Sequence, residues 1–123
     1  MIDVLMEFDR KDILYKMTDQ KDFPSFGNWI EQGASTMWQN WDGSQSRNHI
    51  MFGSIGDYLY YGLAGINPVM DEPGFKLIKL NPQFPEELTY LKSGHKTTFG
   101  WIKTHWKKEE GRIDYELIVP ENT

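Results

Sequence analysis

The sequence contains no cysteine, few basic residues and no long apolar run. Without cysteine the chain forms no disulfide and performs no thiol chemistry, which leaves the compartment open. The 13 Lys and Arg are outnumbered by 18 Asp and Glu, for a formal net charge of −5, whereas a nucleic-acid partner requires a basic face. No apolar segment approaches the roughly 20 residues of a membrane-spanning helix. We therefore expect neither nucleic acid nor membrane as a partner.

Aromatic residues, in contrast, make up 15% of the chain and include five Trp. Two of these lie in a polar segment, GASTMWQNWDGSQSRNHIMFG, which runs from Gly33 to Gly53 and also carries amides, hydroxyls, one Asp and one His. An indole face covers the C–H groups of a sugar while amides and carboxylates bind its hydroxyls. This composition therefore indicates carbohydrate binding, although two buried Trp anchors beside helix-capping polar residues fit it equally well.

Apolar spacing predicts helices in the first part of the chain and strands in the second. Helical periods occur in residues 1–17 and from His49 to Leu63, where Gly65 and Pro68 then mark the end of the helix. From Pro73 the period becomes two, which is typical of strands. We expect these strands at residues 75–80, 88–91, 98–107 and 112–119.

The predicted fold class is α+β, with helices followed by a short antiparallel sheet. We place the helices in residues 1–66, a linker in 67–74 and the strands in 75–123. The first helix has no preceding cap, and four short strands are few for a free-standing sandwich. We therefore expect a piece of a larger fold, or a chain that covers its open faces by association with another copy or another chain.

Five segments carry a recognisable pattern: DRKDILYKM, DFPSFGNWIEQGASTMWQNWDG, NHIMFGSIGDYLYYGLAGI, PGFKLIKLNPQ and FGWIKTHW. Together they resemble the bacterial α-L-rhamnosidases, glycoside hydrolase family seventy-eight. The resemblance covers residues 8–119. It implies the last helices of a six-hairpin (α/α) barrel, followed by the start of a C-terminal antiparallel β-sandwich that appears here truncated. The change of period near Pro73 falls where the family changes domain.

The resemblance also implies an inverting hydrolysis. A carboxylic acid protonates the leaving oxygen, and a carboxylate about 6.5–9.5 Å away activates water. In the family the general acid belongs to an acidic motif upstream of the matched region, and no such motif occurs in this sequence. The general base is the Glu that follows the Trp of a GATTxWE motif. Here the motif reads GASTMWQ, so Gln39 occupies this position, and a carboxamide accepts no proton at working pH.

Further site residues follow from the same resemblance. His49 matches a sugar-contacting residue, and Trp38 and Trp41 match aromatics at the barrel mouth. The alternatives are a locally bonded histidine at a helix start and core packing of the two Trp, with Trp41 favoured for packing. Asn48 is expected to cap the helix and face the site. Glu31 and Asp42 are the nearest carboxylates in sequence and therefore the candidates to replace the missing base.

We therefore predict a fragment of an α-L-rhamnosidase-like inverting glycoside hydrolase. It is expected to contribute one wall of the site for a rhamnose-containing glycoside, to need no cofactor or metal, and to be inactive alone. A non-catalytic carbohydrate-binding module is the alternative, which Gln39 favours. A third interpretation is an interaction fragment that associates with a second copy through its open helix face and sheet edge.

Overall fold

The computed structural model describes residues 2–121 and residue 123. Helices occupy the first half and antiparallel strands the second, so the predicted α+β class is confirmed. The chain divides into two compact units, Met1–Tyr58 and Leu59–Thr123. None of the helices in the described part of the chain has both the length and the apolar character needed to cross a membrane.

The first unit opens with three short helices. They are α1 (Ile2–Glu7), α2 (Lys11–Asp19) and α3 (Phe26–Glu31). The start of α3 is fixed by a side-chain cap, since the Ser25 hydroxyl accepts a hydrogen bond from the Asn28 backbone N–H at 2.9 Å. The core of this unit is formed by buried side chains from these helices and from the segment that follows: Ile2, Leu14, Trp29, Trp38, Ile55 and Tyr58.

The prediction of one continuous helix from His49 to Leu63 is wrong in detail. The segment instead forms a 3₁₀ turn (Ile50–Phe52), a short helix α4 (Ile55–Asp57) and a π-helical turn (Tyr58–Leu63). The Gly53 and Gly56 N–H groups each donate to a carbonyl three residues earlier, as in a 3₁₀ turn. Glycine lowers the preference for an α-helix by about 1 kcal/mol relative to Ala, so the glycines in this segment weaken a continuous helix.

The second unit contains two antiparallel sheets. Strands β1 (Ile66–Pro68) and β2 (Ile78–Leu80) pair with each other, and β3 (Tyr90–Lys96), β4 (Trp101–Glu109) and β5 (Arg112–Ile118) form a three-stranded sheet in that order. The first predicted strand is shorter than expected because Pro73–Phe75 forms a 3₁₀ turn. The predicted linker contains the end of β1, and the domain limits given above stay a prediction.

The two sheets of this unit share a core of Ala64, Ile66 and Ile102. Phe75 and side chains from β2 and β3 pack against it. Strand β4 alternates cleanly, with Ile102, Thr104 and Trp106 buried and the intervening residues more exposed, which is the pattern of a sheet covered on one face. Strand β5, in contrast, is exposed at every position and lies at the edge of its sheet.

Candidate functional site

The predicted site residues lie mainly on one irregular segment, residues 34–49, which we call the polar loop. The loop folds back on itself through backbone hydrogen bonds. The Gln39 N–H donates to the Ser46 carbonyl at 2.8 Å, and the His49 N–H donates to the Met37 carbonyl at 2.8 Å. Two limbs therefore run side by side, and they bring Gln39 and His49 onto neighbouring backbone segments although they are separated in sequence.

The tip of the polar loop is held by its own amides and hydroxyls. The Gly43 N–H donates to the Asn40 carbonyl at 3.2 Å, and the Asn40 side chain donates to the Ser44 hydroxyl at 2.9 Å. The Asp42 carboxylate accepts a hydrogen bond from the Ser44 N–H at 3.1 Å. The bond from the Ser44 backbone, reinforced by the Ser44 side chain, lowers the pKa of the Asp42 carboxyl. Asp42 is therefore a turn-forming carboxylate and a weak proton acceptor.

Trp38 is buried at the centre of the polar loop. Only 3% of its surface is exposed, and the guanidinium carbon of Arg47 lies 4.7 Å from its ring centroid. Arg47 is itself fixed by donating from Nε to the Gly43 carbonyl at 3.2 Å. The sequence analysis did not single out Arg47, whose position among amides gave no signal of its contact with the indole. The packing alternative, which we favoured for Trp41, describes Trp38 at least as well.

Trp41 belongs to a cluster of aromatic rings formed by Phe26, Trp29, Trp38, Trp41 and Phe52. Its ring centroid lies 4.6 Å from that of Trp29 and 4.4 Å from that of Phe52, and its carbonyl accepts a hydrogen bond from Trp29 Nε1 at 2.8 Å. It remains less buried than Trp38. One edge of the cluster lines a cavity of about 300 Å³ to which Phe26, Trp41 and Phe52 contribute. Gln39 and His49 are not among the residues that line this cavity.

His49 and Asn48 lie where the polar loop enters the 3₁₀ turn. His49, not Asn48, is the N-cap, and its Nδ1 accepts a hydrogen bond from the Met51 N–H at 3.0 Å. The expected cap by Asn48 is therefore wrong, because the turn begins at Ile50, directly after His49. The Asn48 N–H donates to the Ser46 hydroxyl at 3.3 Å. Since Nδ1 is an acceptor, the neutral His49 ring carries its proton on Nε2. Both residues are exposed, and the second nitrogen of His49 is a hydrogen-bond donor.

The remaining two candidates differ in position. Gln39 is half-buried within the polar loop, whereas Glu31 is the exposed last residue of α3. The structure therefore brings Trp38, Gln39, Asn48 and His49 together on the two limbs of the loop. It places Asp42 at the tip and Glu31 on a separate element.

Both halves of the chain match family models. Residues 1–63 match the bacterial alpha-L-rhamnosidase 6 hairpin glycosidase domain, and residues 65–123 match the bacterial alpha-L-rhamnosidase C-terminal domain. The helical part of the chain thus corresponds to a stretch of the family's 6 hairpin glycosidase domain, and the part with the sheets corresponds to the family's C-terminal domain. The chain belongs to the bacterial α-L-rhamnosidase family, as the sequence motifs predicted.

Individual relatives match along the whole chain. An α-L-rhamnosidase of Streptomyces avermitilis is 30% identical over 134 residues, which cover 100% of this chain and 13% of that protein. One from Formosa agariphila is 32% identical over 127 residues, which cover 98% of this chain and 13% of the relative. This chain therefore spans a small part of the relatives that it matches.

Solved structures agree with the sequence matches. The crystal structure of Streptomyces avermitilis α-L-rhamnosidase complexed with L-rhamnose matches with a TM-score of 0.89 at 30% identity, covering 99% of this chain and 13% of that chain. The α-L-rhamnosidase from Dictyoglumus thermophilum matches with a TM-score of 0.86 at 36% identity, covering 98% of this chain and 14% of that chain. The local fold is therefore that of the corresponding part of these enzymes.

Proposed function

We propose that this chain forms one wall of the rhamnose site of an α-L-rhamnosidase-like inverting glycoside hydrolase and that it hydrolyses no glycoside alone. Membership of the family supports the reaction class, and the similar Streptomyces enzyme is complexed with L-rhamnose. The chain corresponds to 13% of that enzyme. A single wall is thus the part of a sugar site that a chain of this extent is expected to supply.

The observation that carries this proposal is the pairing of the two limbs of the polar loop. The hydrogen bonds of Gln39 to Ser46 and of His49 to Met37, both 2.8 Å long, fix the backbones of the two residues that the family motifs mark. An amide and an imidazole N–H are suitable partners for neighbouring sugar hydroxyls. The indole of Trp38, buried against Arg47, supports the loop from beneath in this proposal.

Chemistry at this wall is limited by Gln39. Its carboxamide positions a water or a hydroxyl but removes no proton from it. Asp42 is a poor replacement, because its carboxylate is already bonded to the Ser44 N–H at 3.1 Å and its pKa is lowered. A general base works best with a pKa near the operating pH. We therefore assign the chain a role in binding and positioning without proton transfer.

An assay on an aryl α-L-rhamnoside tests this assignment. We expect no turnover above the buffer rate from the chain itself, and none from Gln39→Glu, because restoring the carboxylate supplies no general acid. Asp42→Asn serves as a matched control that changes a carboxylate of the same loop. Turnover by the unmodified chain that disappears in Asp42→Asn would make Asp42 the base and overturn the proposal.

A second candidate function, a non-catalytic carbohydrate-binding module, is favoured by the Gln39 substitution itself. We expect L-rhamnose to change the Trp fluorescence of the folded chain. His49→Ala should weaken the affinity measured from that response about fivefold, since a lost hydrogen bond at a polar site costs on the order of 1 kcal/mol. His105→Ala, on a strand of the second unit, is the control and should leave it unchanged. A chain that gives no response at high millimolar L-rhamnose is not a binding module.

A further inference from the structure

The outward face of the three-stranded sheet carries three lysines around Trp101, although the chain as a whole has a net charge of −5. The pairing of β3 with β4 places Lys96 opposite Trp101, Gly94 opposite Lys103 and Lys92 opposite His105. Exposed residues of β4 alternate with buried ones, so these side chains share the face that points away from the core. Lysines are therefore concentrated around one tryptophan.

Trp101 lies across this face in an exposed position. A Cβ placed on Gly94 would be 3.4 Å from Cζ3 of the Trp101 ring, which is ordinary van der Waals contact. The indole thus lies over the glycine of the neighbouring strand, and 48% of the residue remains exposed. The Lys103 ammonium is 5.4 Å from the centroid of the ring, within the range of a cation–π interaction.

The lysines around Trp101 differ from the other charges of this sheet. Towards β5 each acid has a partner, since Glu116 lies 3.3 Å from His105 and Asp114 lies 2.9 Å from Arg112. Within the described part of the chain, no carboxylate lies within the 4.0 Å of an ion pair from Lys92, Lys96 or Lys103. The three ammonium groups are therefore available to an anion, and Glu116, which lies against His105, lines the same cavity as Lys92 and Lys103.

We propose that Trp101, Lys92, Lys96 and Lys103, which we call the Trp101 platform, bind an anionic polysaccharide. A sugar ring stacks on the exposed indole, and its carboxylate or sulfate groups meet the ammonium groups. Stacking uses the apolar face of the pyranose, while the lysines act as point charges that need no fixed geometry. The platform belongs to the sheet of the second unit, and this proposal does not depend on the one made for the polar loop.

The Trp101 platform has one aromatic ring, which favours an anionic glycan over a nucleic acid. Single-stranded nucleic acids are bound by several stacked aromatics along a basic groove, whereas Tyr90, which shares this face, lies opposite Lys107 at the far end of β3 from Trp101. A glycan that bears acidic groups on stackable rings satisfies the indole and the lysines together.

Affinity electrophoresis of the whole chain with three soluble polysaccharides and with single-stranded DNA tests the proposal. Polygalacturonate presents carboxylates, dextran sulfate presents sulfates, and neutral dextran presents neither. We expect retardation by at least one anionic polymer and none by dextran, and the polymer that retards the chain identifies the preferred anion. Retardation by neither anionic polymer refutes the platform, as does binding of single-stranded DNA as tight as that of the preferred glycan.

Two variants separate stacking from charge. Trp101→Ala should weaken the affinity for the preferred polymer about tenfold, the typical loss of an aromatic anchor. The double variant Lys96→Gln with Lys103→Gln should also weaken it about tenfold, with little effect on folding. Lys21→Gln/Lys79→Gln removes the same charge elsewhere and should bind as the unmodified chain does. Equal losses in both double variants would reduce the effect to net charge alone and contradict the platform.

Discussion

At the scale of single residues, Gly43 determines how closely the tip of the polar loop approaches Trp38. Its φ of +65° lies in the left-handed region, which costs residues with a Cβ roughly 1 kcal/mol or more. An added Cβ would also lie 2.6 Å from Cζ3 of Trp38. Because Trp38 is itself only 3% exposed, its ring has little room to move away.

Replacement of Gly43 by Ala should therefore destabilise the first unit by roughly 2–4 kcal/mol, the sum of left-handed strain and overpacking. Urea unfolding followed by Trp fluorescence measures this loss. Gly33→Ala is the matched control, since Gly33 also has a positive φ of +77° but nothing lies within 4 Å of its Cβ position, and it should lose only the strain. Similar losses in the two variants would show that the contact with Trp38 is unimportant.

The residues of the polar loop show which features of single residues could be predicted from the sequence. Composition located the segment that forms the polar loop, because this feature is local in the chain, whereas the role of Gln39 stays a prediction from the family resemblance. Sequence patterns favoured Trp41 over Trp38 as the packed ring, whereas Trp38 is the more buried of the two, because Arg47 and Gly43 both contact its indole. They also assigned the cap to Asn48, since the use of His49 Nδ1 as acceptor depends on where the turn begins.

At the scale of elements, β5 is the strand least covered by the rest of its unit. Tyr115 pairs opposite Trp106, and Leu117 pairs opposite Thr104, so these side chains lie on the face of the sheet that carries the core. They are nevertheless 37% and 41% exposed, because the two strands of the smaller sheet, each of three residues, pack over other positions. An apolar edge of this kind favours association.

We expect the isolated chain to self-associate through this face as its concentration rises. Light scattering after size exclusion should give a growing mass for the unmodified chain and a monomer for Leu117→Lys. Ile118→Lys is a close control, since it places the same charge on the adjacent residue, which points to the opposite face of β5. A chain that stays monomeric at every concentration would remove this face as an interaction surface.

The elements themselves could be predicted to different degrees. Strand β5 was predicted at residues 112–119 and lies at Arg112–Ile118. The prediction is this close because the alternation of apolar and polar residues is local and regular. The segment from His49 to Leu63 was predicted wrongly, because its apolar spacing fits one continuous helix. Its backbone hydrogen bonds instead change in span from three residues to five, as in the bond from the Ala64 N–H to the Leu59 carbonyl at 3.0 Å. Periodicity does not report such changes.

At the scale of the whole molecule, the change from helices to strands occurs within a few residues. The two family models meet between residues 63 and 65, at the end of the π-helical turn. There the Gly62 carbonyl accepts a hydrogen bond from the Gln83 N–H at 3.1 Å, and the Gly65 carbonyl accepts one from the Asn81 N–H at 2.9 Å. The turn is thus held by the segment that follows β2, a tertiary contact that the period of the sequence does not contain.

A chimera with a full-length relative tests the role of Gln39 in hydrolysis. In this chimera the chain replaces the matching 13% of the Streptomyces avermitilis α-L-rhamnosidase, and the rest of that enzyme is kept. We expect the chimera to bind L-rhamnose but to hydrolyse an aryl α-L-rhamnoside roughly 10²–10⁴-fold more slowly than the parent, the usual contribution of a general base. Gln39→Glu in the chimera should recover most of that loss, whereas Gln39→Ala should not. If the chimera is already as active as the parent, Gln39 does not occupy the position of the base. If Gln39→Glu recovers no activity although L-rhamnose still binds, the loss is not caused by the missing carboxylate.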